Sequence, residues 1–357
     1  MRVLHVAEAF GGGLMEAAIV MADETARAGH DVMIAHGTRP ETPANLDELT
    51  DPSVEVRRLS WDSRAPLAQL RPARQIRALV KSWRPDVVQL HSSFAGAVGV
   101  AAVGRRVPTI LCPQGFASEI PEFSAARRRF YSAIERGVCR RVSMVGAVSY
   151  SEADIARGYG ASRVVRVPNG IHELDPDRVV VRTGEASGPS TVLATGRTVP
   201  QRQPEACARI LGAIRDVAEP VWLGGGSGER GEDGVRALEA AGVTPSGWLP
   251  HSELMERKAE ATVYLHWTAW DGLPLSVLEA VALDVVVVAS DIPPNREILG
   301  PEGVCATEEE AIARIRRIVK DPAFAESERK RQRGRRGEFS AQTMVKGWLE
   351  AYEELVS

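Results

Sequence analysis

Short apolar runs alternate with longer amphipathic stretches along nearly the whole chain, the pattern of α/β domains built on parallel sheets. In the first half the runs predict strands over 3–7, 31–36, 54–59, 87–91, 109–112, 143–148 and 164–167. The rhythm restarts at 191–195, 221–223, 263–266 and 285–289. Residues 15–28 carry a helical period that stops at Gly29, which can enter the left-handed region and close a helix without a Cβ clash. Between the two series, residues 173–190 are rich in charge, Gly and Pro and predict an interdomain connection. Met344, Trp348, Tyr352 and Leu355 recur at helical spacing, so a final helix over 341–357 must bury that stripe, and the first domain is its expected partner. The predicted organisation is an α/β domain over 1–172, the connection, a second α/β domain over 191–340, and the returning helix. The two parallel sheets are expected to face each other across a cleft, with ligands beyond the carboxyl ends of the strands.

Composition changes this picture little. A length of 357 residues fits two domains, and 44% apolar with 25% charged residues is ordinary for a soluble protein. Cys112, Cys139, Cys207 and Cys305 are scattered without C-x-x-C spacing, as expected of reduced core thiols in a cytoplasmic protein. The N-terminus runs directly into a predicted strand, leaving no room for a signal peptide, and no apolar run approaches the roughly 18–20 residues needed to span a bilayer. G-x-S-x-G, H-E-x-x-H and Walker A patterns are absent, so hydrolytic chemistry is not indicated and no metal or cofactor is expected.

The candidate chemistry lies in loops that follow strands. Gly11, Gly12 and Gly13 separate the first strand from the first helix, where absent Cβ atoms suit either a bound phosphate or a plain tight turn. The pattern is not G-x-G-x-x-G, and no acidic residue ends the second strand, which disfavours a nicotinamide cofactor. Arg197 and Arg202 flank a turn after the strand at 191–195 and could grip a pyrophosphate, although surface arginines are common. Asp271 and Glu279 stand eight residues apart. Gly272, Leu273, Pro274 and Leu275 lie between them as a helix entry whose amides suit an anion. Each acid alone could equally be a helix cap or a solvated side chain. His91 and Gln114 end adjacent predicted strands and would face the cleft.

Together these loops resemble those of the family-4 retaining glycosyltransferases of the GT-B fold, over almost the whole chain. The resemblance implies two Rossmann-like domains and a nucleotide diphosphate sugar as co-substrate. In that family Gly12 and Gly13 would approach the donor phosphate, and Arg197 and Arg202 would hold the diphosphate. Gly247, in a turn with Trp248 and Pro250, would lie near the base. Asp271 would lie by the sugar hydroxyls and Glu279 would hold the ribose, as the two acids of an E-x7-E motif, with Gly272, Leu273, Pro274 and Leu275 facing sugar and phosphates. Pro168, Asn169 and Gly170 resemble the segment that ends the first domain. The implied catalytic set is His91, Gln114, Arg197, Arg202 and Asp271, with no protein nucleophile and no metal. Three positions depart from the family: Arg202 for Lys, Asp271 for Glu, and Gln114 for a His near the anomeric centre. The last two leave open a nucleotide-sugar-binding protein with impaired catalysis, and an epimerase on the same architecture is a further alternative.

Between Arg64 and Arg141 there are fourteen Lys and Arg against four Asp and Glu, in a chain of net charge −3. Arg71, Arg74, Arg77 and Lys81 fall on one arc of a predicted helix over 71–83, opposite Ile76, Leu79, Val80 and Trp83, and Arg127, Arg128 and Arg129 add to them. The surplus suits an anionic membrane surface or a plain solvated face. The expected partners are a nucleotide-sugar donor and an acceptor glycan, glycolipid or small molecule. No nucleic acid is expected, because no stacking aromatics accompany the charge. The expected location is cytoplasmic, with a peripheral position at the membrane's inner face as an option.

Overall fold

The computed structural model describes residues 1–8, 10–39, 42–171, 189–226 and 229–357. The expected connection over 173–190 lies, up to residue 188, outside the described residues. The chain divides into two compact units, one of Met1–His172 with Phe339–Ser357 and the other of Glu173–Glu338.

The first unit holds a seven-stranded sheet in the order β3-β2-β1-β4-β5-β6-β7. Its strands are β1 (Arg2–Ala7), β2 (Asp31–His36), β3 (Val54–Arg58), β4 (Val87–His91), β5 (Thr109–Cys112), β6 (Met144–Ala147) and β7 (Val164–Arg166). Every pairing is parallel. Both faces are covered, which is why these strands read as unbroken apolar runs rather than alternating ones. Along β2, Val32 and Ile34 enter the core on one face, while Met33 and Ala35 enter the core on the other. The first helix begins at Gly12, three residues before the expected Met15, because glycine-rich sequence hides a helical period; it runs Gly12–Arg27.

The terminal helix Ala341–Val356 belongs to this unit and buries Met344, Trp348 and Tyr352, while Leu355 is half-buried. Tyr352 Oη donates to Gln89 Oε1 on β4. The Trp348 ring lies against Gly146 on β6, where any Cβ would sit 2.2 Å from it. That glycine is therefore a packing requirement of the C-terminal stripe.

The second unit holds a five-stranded sheet in the order β12-β11-β10-β8-β9. Its strands are β8 (Thr191–Thr195), β9 (Glu219–Leu223), β10 (Val263–His266), β11 (Val286–Ser290) and β12 (Val304–Cys305), again all parallel. β9 starts earlier than its apolar run because Pro220 is tolerated on an edge strand. β12 escapes sequence reading because two residues carry no period. Among the described residues no helix is long and apolar enough to cross a membrane. All four cysteines are buried and unpaired, and burial pushes their thiols upward.

In each sheet one strand has neighbours wound in opposite directions: β1 between β2 and β4, and β8 between β9 and β10. The carboxyl ends at such a switch point diverge and open a crevice, the usual ligand position of open α/β sheets.

Candidate active site

In the second unit the loops after β8 and β10 meet at the switch point. The first is a 3-10 turn, Pro200–Arg202, followed by Gln203 in the left-handed region at φ 44°. Ala269 N and Thr268 Oγ1 both donate to Gln201 O, at 2.9 and 2.8 Å, and tie the two loops together. Arg202 is thereby held against Asp271, with Nη1 donating to Oδ2 at 2.7 Å. Asp271 Oδ1 accepts from the amide of Gly272 at 2.9 Å, so the carboxylate is fixed at both oxygens. Arg197 is exposed on the same loop as Arg202.

Beneath the pair lies His266, the last residue of β10, buried, with Nε2 3.5 Å from Arg202 Nη1 and Nδ1 3.5 Å from Ser276 Oγ. Burial, then the charges of Arg202 and Lys258, hold this imidazole well below its ordinary value, so it is neutral at pH 7. A neutral ring that accepts from Arg202 carries its proton on Nδ1, towards Ser276.

Gly272, Leu273, Pro274 and Leu275 are buried and lead into the helix Leu275–Ala282. The amides of Leu275 and Ser276 donate to no other described residue, leaving the two N–H groups that a helix start offers to an anion. Glu279, 7% exposed, lies one turn further on and pairs through Oε2 with Nζ of Lys258, which is fully buried. Lys258 comes from the preceding helix, His251–Glu260, four residues after Leu254 and therefore within its half-buried stripe.

Gly247 lies in a turn beside β9, its amide bonded to Gly224 O at 3.1 Å and its φ at 77°. At Gly224 a Cβ would stand 2.3 Å from Gly196 O, so the loops after β8 and β9 pack backbone against backbone. Trp248 next to this turn is exposed.

In the first unit Gly12 and Gly13 form the exposed first turn of helix Gly12–Arg27, Gly12 at φ 56° with open space where its Cβ would be. His91 ends β4 but is fully buried, so the structure places it under the edge and not on it. Its Nε2 bonds His5 Nδ1 at 3.0 Å, and neither outer ring nitrogen has a partner among the described residues. Burial lowers both: His91 to about 4, and His5 well below its ordinary value with His91 as a second cause. Gln114 is half-buried, in the left-handed region at φ 54°, and its amide is paired both ways with that of Asn169, at 2.9 and 3.0 Å. Two buried carboxylates hold its loop, Glu152 accepting from Gly115 N at 2.6 Å and Glu135 from Ala117 N at 2.7 Å.

Sequence reasoning missed Lys258, His266 and His5. His266 could have been found by the argument applied to His91, a histidine ending a strand before a polar loop. Lys258 left a signal too, as a cation on an apolar stripe.

The three neutral imidazoles predict a pH dependence. An unfolded imidazole takes up its proton near pH 6.5 and these only well below it, so the unfolded chain binds more protons throughout that window. Stability is therefore full above about pH 6.5 and falls as pH drops, by about 1.4 kcal/mol per pH unit for each such group. Denaturant midpoints at pH 7 and 5.5 should differ accordingly, and equal midpoints would mean that these rings are already charged or solvated.

Comparison with known proteins bears on the whole chain. Residues 12–170 match the glycosyl transferase 4-like domain, and residues 179–337 match the glycosyl transferases group 1. A Bacillus subtilis protein described as the teichuronic acid biosynthesis glycosyltransferase TuaC is 22% identical over 217 residues, which are 58% of this chain and 54% of that relative. The match thus spans about half the relative's length. Sucrose-phosphate synthase from Thermosynechococcus elongatus is similar in fold at a TM-score of 0.84 and 17% identity, covering 99% of both chains. HepE of Anabaena, solved with UDP and glucose, has a TM-score of 0.79 at 16% identity, covering 99% of this chain and 100% of its own. With two consecutive family models and two parallel α/β sheets, the chain belongs to the GT-B glycosyltransferases of the family-4 type.

Proposed function

We propose that this chain is a retaining glycosyltransferase that moves a sugar from a nucleoside diphosphate donor to an acceptor hydroxyl without a metal. The observation that carries the reading is the fixed Arg202–Asp271 pair at the switch point of the second sheet, with neutral His266 beneath it. Arg197 and Arg202 bind the diphosphate, the amides of Leu275 and Ser276 face its oxygens, and Gly247 lies beside the base. Glu279, oriented by Lys258, accepts from the ribose hydroxyls. Asp271 accepts from hydroxyls of the transferred sugar. In the first unit Gly12 and Gly13 offer open backbone to a phosphate and Gln114 serves the acceptor side, while buried His91 supports its strand end.

As the anomeric C–O bond breaks, negative charge grows on the leaving diphosphate, and the guanidiniums are placed to meet it. That oxygen accepts the acceptor hydroxyl's proton while the new bond forms on the same face. Arg202, fixed on Asp271, and Arg197 beside it fill the role that a divalent ion would otherwise serve. NMR of the product should show retained anomeric configuration, and turnover should be unaffected by EDTA. An inverted product, or loss of turnover in EDTA that Mg²⁺ restores, contradicts the proposal.

A lipid-linked acceptor and a position at the membrane surface complete the reading. Arg71, Arg74 and Lys81 are exposed on the helix Leu70–Trp83, whose Ile76 is buried. Arg77 is committed otherwise, donating to the carbonyls of Ala101 and Ala102 at 3.3 and 3.4 Å. Arg127, Arg128 and Arg129 are exposed on the helix Ala125–Cys139 beside Phe130, which is 62% exposed. Each such cation contributes about 1 kcal/mol at an anionic surface. Vesicles with anionic lipid should bind the protein and release it as salt rises, whereas equal binding to neutral vesicles would remove this part of the reading.

A further inference from the structure

The carboxyl edge of the first unit's sheet carries a second charged cluster that none of these roles uses. Glu8 directly follows β1, Arg39 follows β2, Arg64 follows β3, and Phe94 opens the helix after β4. Because β3, β2, β1 and β4 are parallel neighbours, all four residues reach the same edge, at the switch point beside β1. Glu8 is buried and accepts from Arg39 Nη2 at 2.5 Å, from Arg64 Nε at 3.1 Å and from Arg64 Nη2 at 3.0 Å. The Arg64 guanidinium also lies over the Phe94 ring, 4.2 Å from its centroid. Yet both arginines reach the surface, with side chains 32% and 49% exposed.

One arginine would satisfy one buried carboxylate. The second leaves a surplus positive charge, and the Nη1 groups of both find no acceptor among the described residues. Arg64 is fixed before any ligand arrives, by two bonds to Glu8 and an aromatic face, and Arg39 is anchored to the same carboxylate through Nη2, so less freedom remains to be lost on binding. Two part-exposed guanidiniums gathered at one carboxylate, each with N–H groups to spare, suit a carboxylate or phosphate oxygen pair.

We propose that Arg39 and Arg64, set by Glu8, bind an anionic group, carboxylate or phosphate, on the acceptor. This rests on the reading of the chain as a glycosyltransferase and narrows its acceptor to a charged one. The neighbouring Gly12 and Gly13 are assigned to the donor, so the donor's phosphates are the rival source of the anion.

The full-length protein is titrated calorimetrically with methyl glucuronide, glucose 6-phosphate, methyl glucoside and, separately, UDP. One or both charged sugars should bind at least tenfold more tightly than the neutral one, with a preference that shrinks as salt rises. The variant Glu8→Gln/Arg39→Gln/Arg64→Gln removes the buried charge together with its partners and should erase the preference while UDP binds as before. Should it fail to fold, Arg64→Gln alone leaves Glu8 paired with Arg39 and should weaken the charged sugars several-fold. Equal binding of charged and neutral sugars, or a preference that survives the variants, overturns the proposal. Loss of UDP binding in the variants with the sugar preference intact reassigns the arginines to the donor and overturns it too. If UDP does not bind the wild type but the charged-sugar preference appears and the variants abolish it, the anion site stands and the donor reading falls.

Discussion

Lys258→Met should destabilise the protein by about 3–5 kcal/mol, the usual cost of leaving one member of a buried ion pair without its partner. Lys258 is fully buried and pairs through Nζ with Glu279 Oε2, while its ammonium also lies 5.1 Å from the Tyr264 ring centroid. Removing the cation strands a carboxylate on the apolar helix Leu275–Ala282. The double variant Lys258→Met/Glu279→Gln should recover most of that stability, since no charge is then left buried. Donor affinity should not recover with it, because the proposed ribose ligand has lost its charge and its orienting partner. Urea midpoints together with nucleotide affinities separate the two effects. A double variant that binds donor as the wild type does would show that this pair serves the fold alone.

Arg202→Ala should lower turnover about 10²–10³-fold, the scale seen when one preorganised donor to a developing negative charge is removed. The fold should survive, because Arg202 and Asp271 both keep contact with solvent, with side chains 23% and 16% exposed. Arg202→Lys keeps the charge in the form usual for the family and should retain most activity. Loss of the planar guanidinium should appear as a raised KM for the donor and not as a lost kcat. Turnover unchanged in Arg202→Ala would remove the guanidinium from the reaction centre.

The architecture was legible because parallel sheets covered on both faces need continuous apolar strands, and the runs at 31–36, 87–91 and 263–266 coincide with observed strands. The C-terminal stripe was legible for a similar reason, since a Trp and a Tyr one turn apart must be buried somewhere. Spacing within one element was readable as well: Asp271 and Glu279 bracket a single loop and helix entry. Pairing across elements was not. Lys258 and Glu279 are 21 residues apart on two helices that pack together, and His5 and His91 are 86 apart on paired strands, so only the tertiary fold brings them together. The same fold turned His91 inward, because the residue that ends a strand at the switch point can point under the edge as readily as over it.

The central claim is that the second unit binds a nucleotide sugar at the ends of β8 and β10. Thermal unfolding against UDP-, GDP-, dTDP- and ADP-sugars, in EDTA, tests it most directly. A ligand at about 100 times its Kd adds roughly 2.7 kcal/mol of stability, a readily measured rise in midpoint. The account predicts such a rise with one nucleotide class and its loss in Arg197→Ala and Arg202→Ala. No rise with any of the four, or a rise that both variants retain, would contradict it.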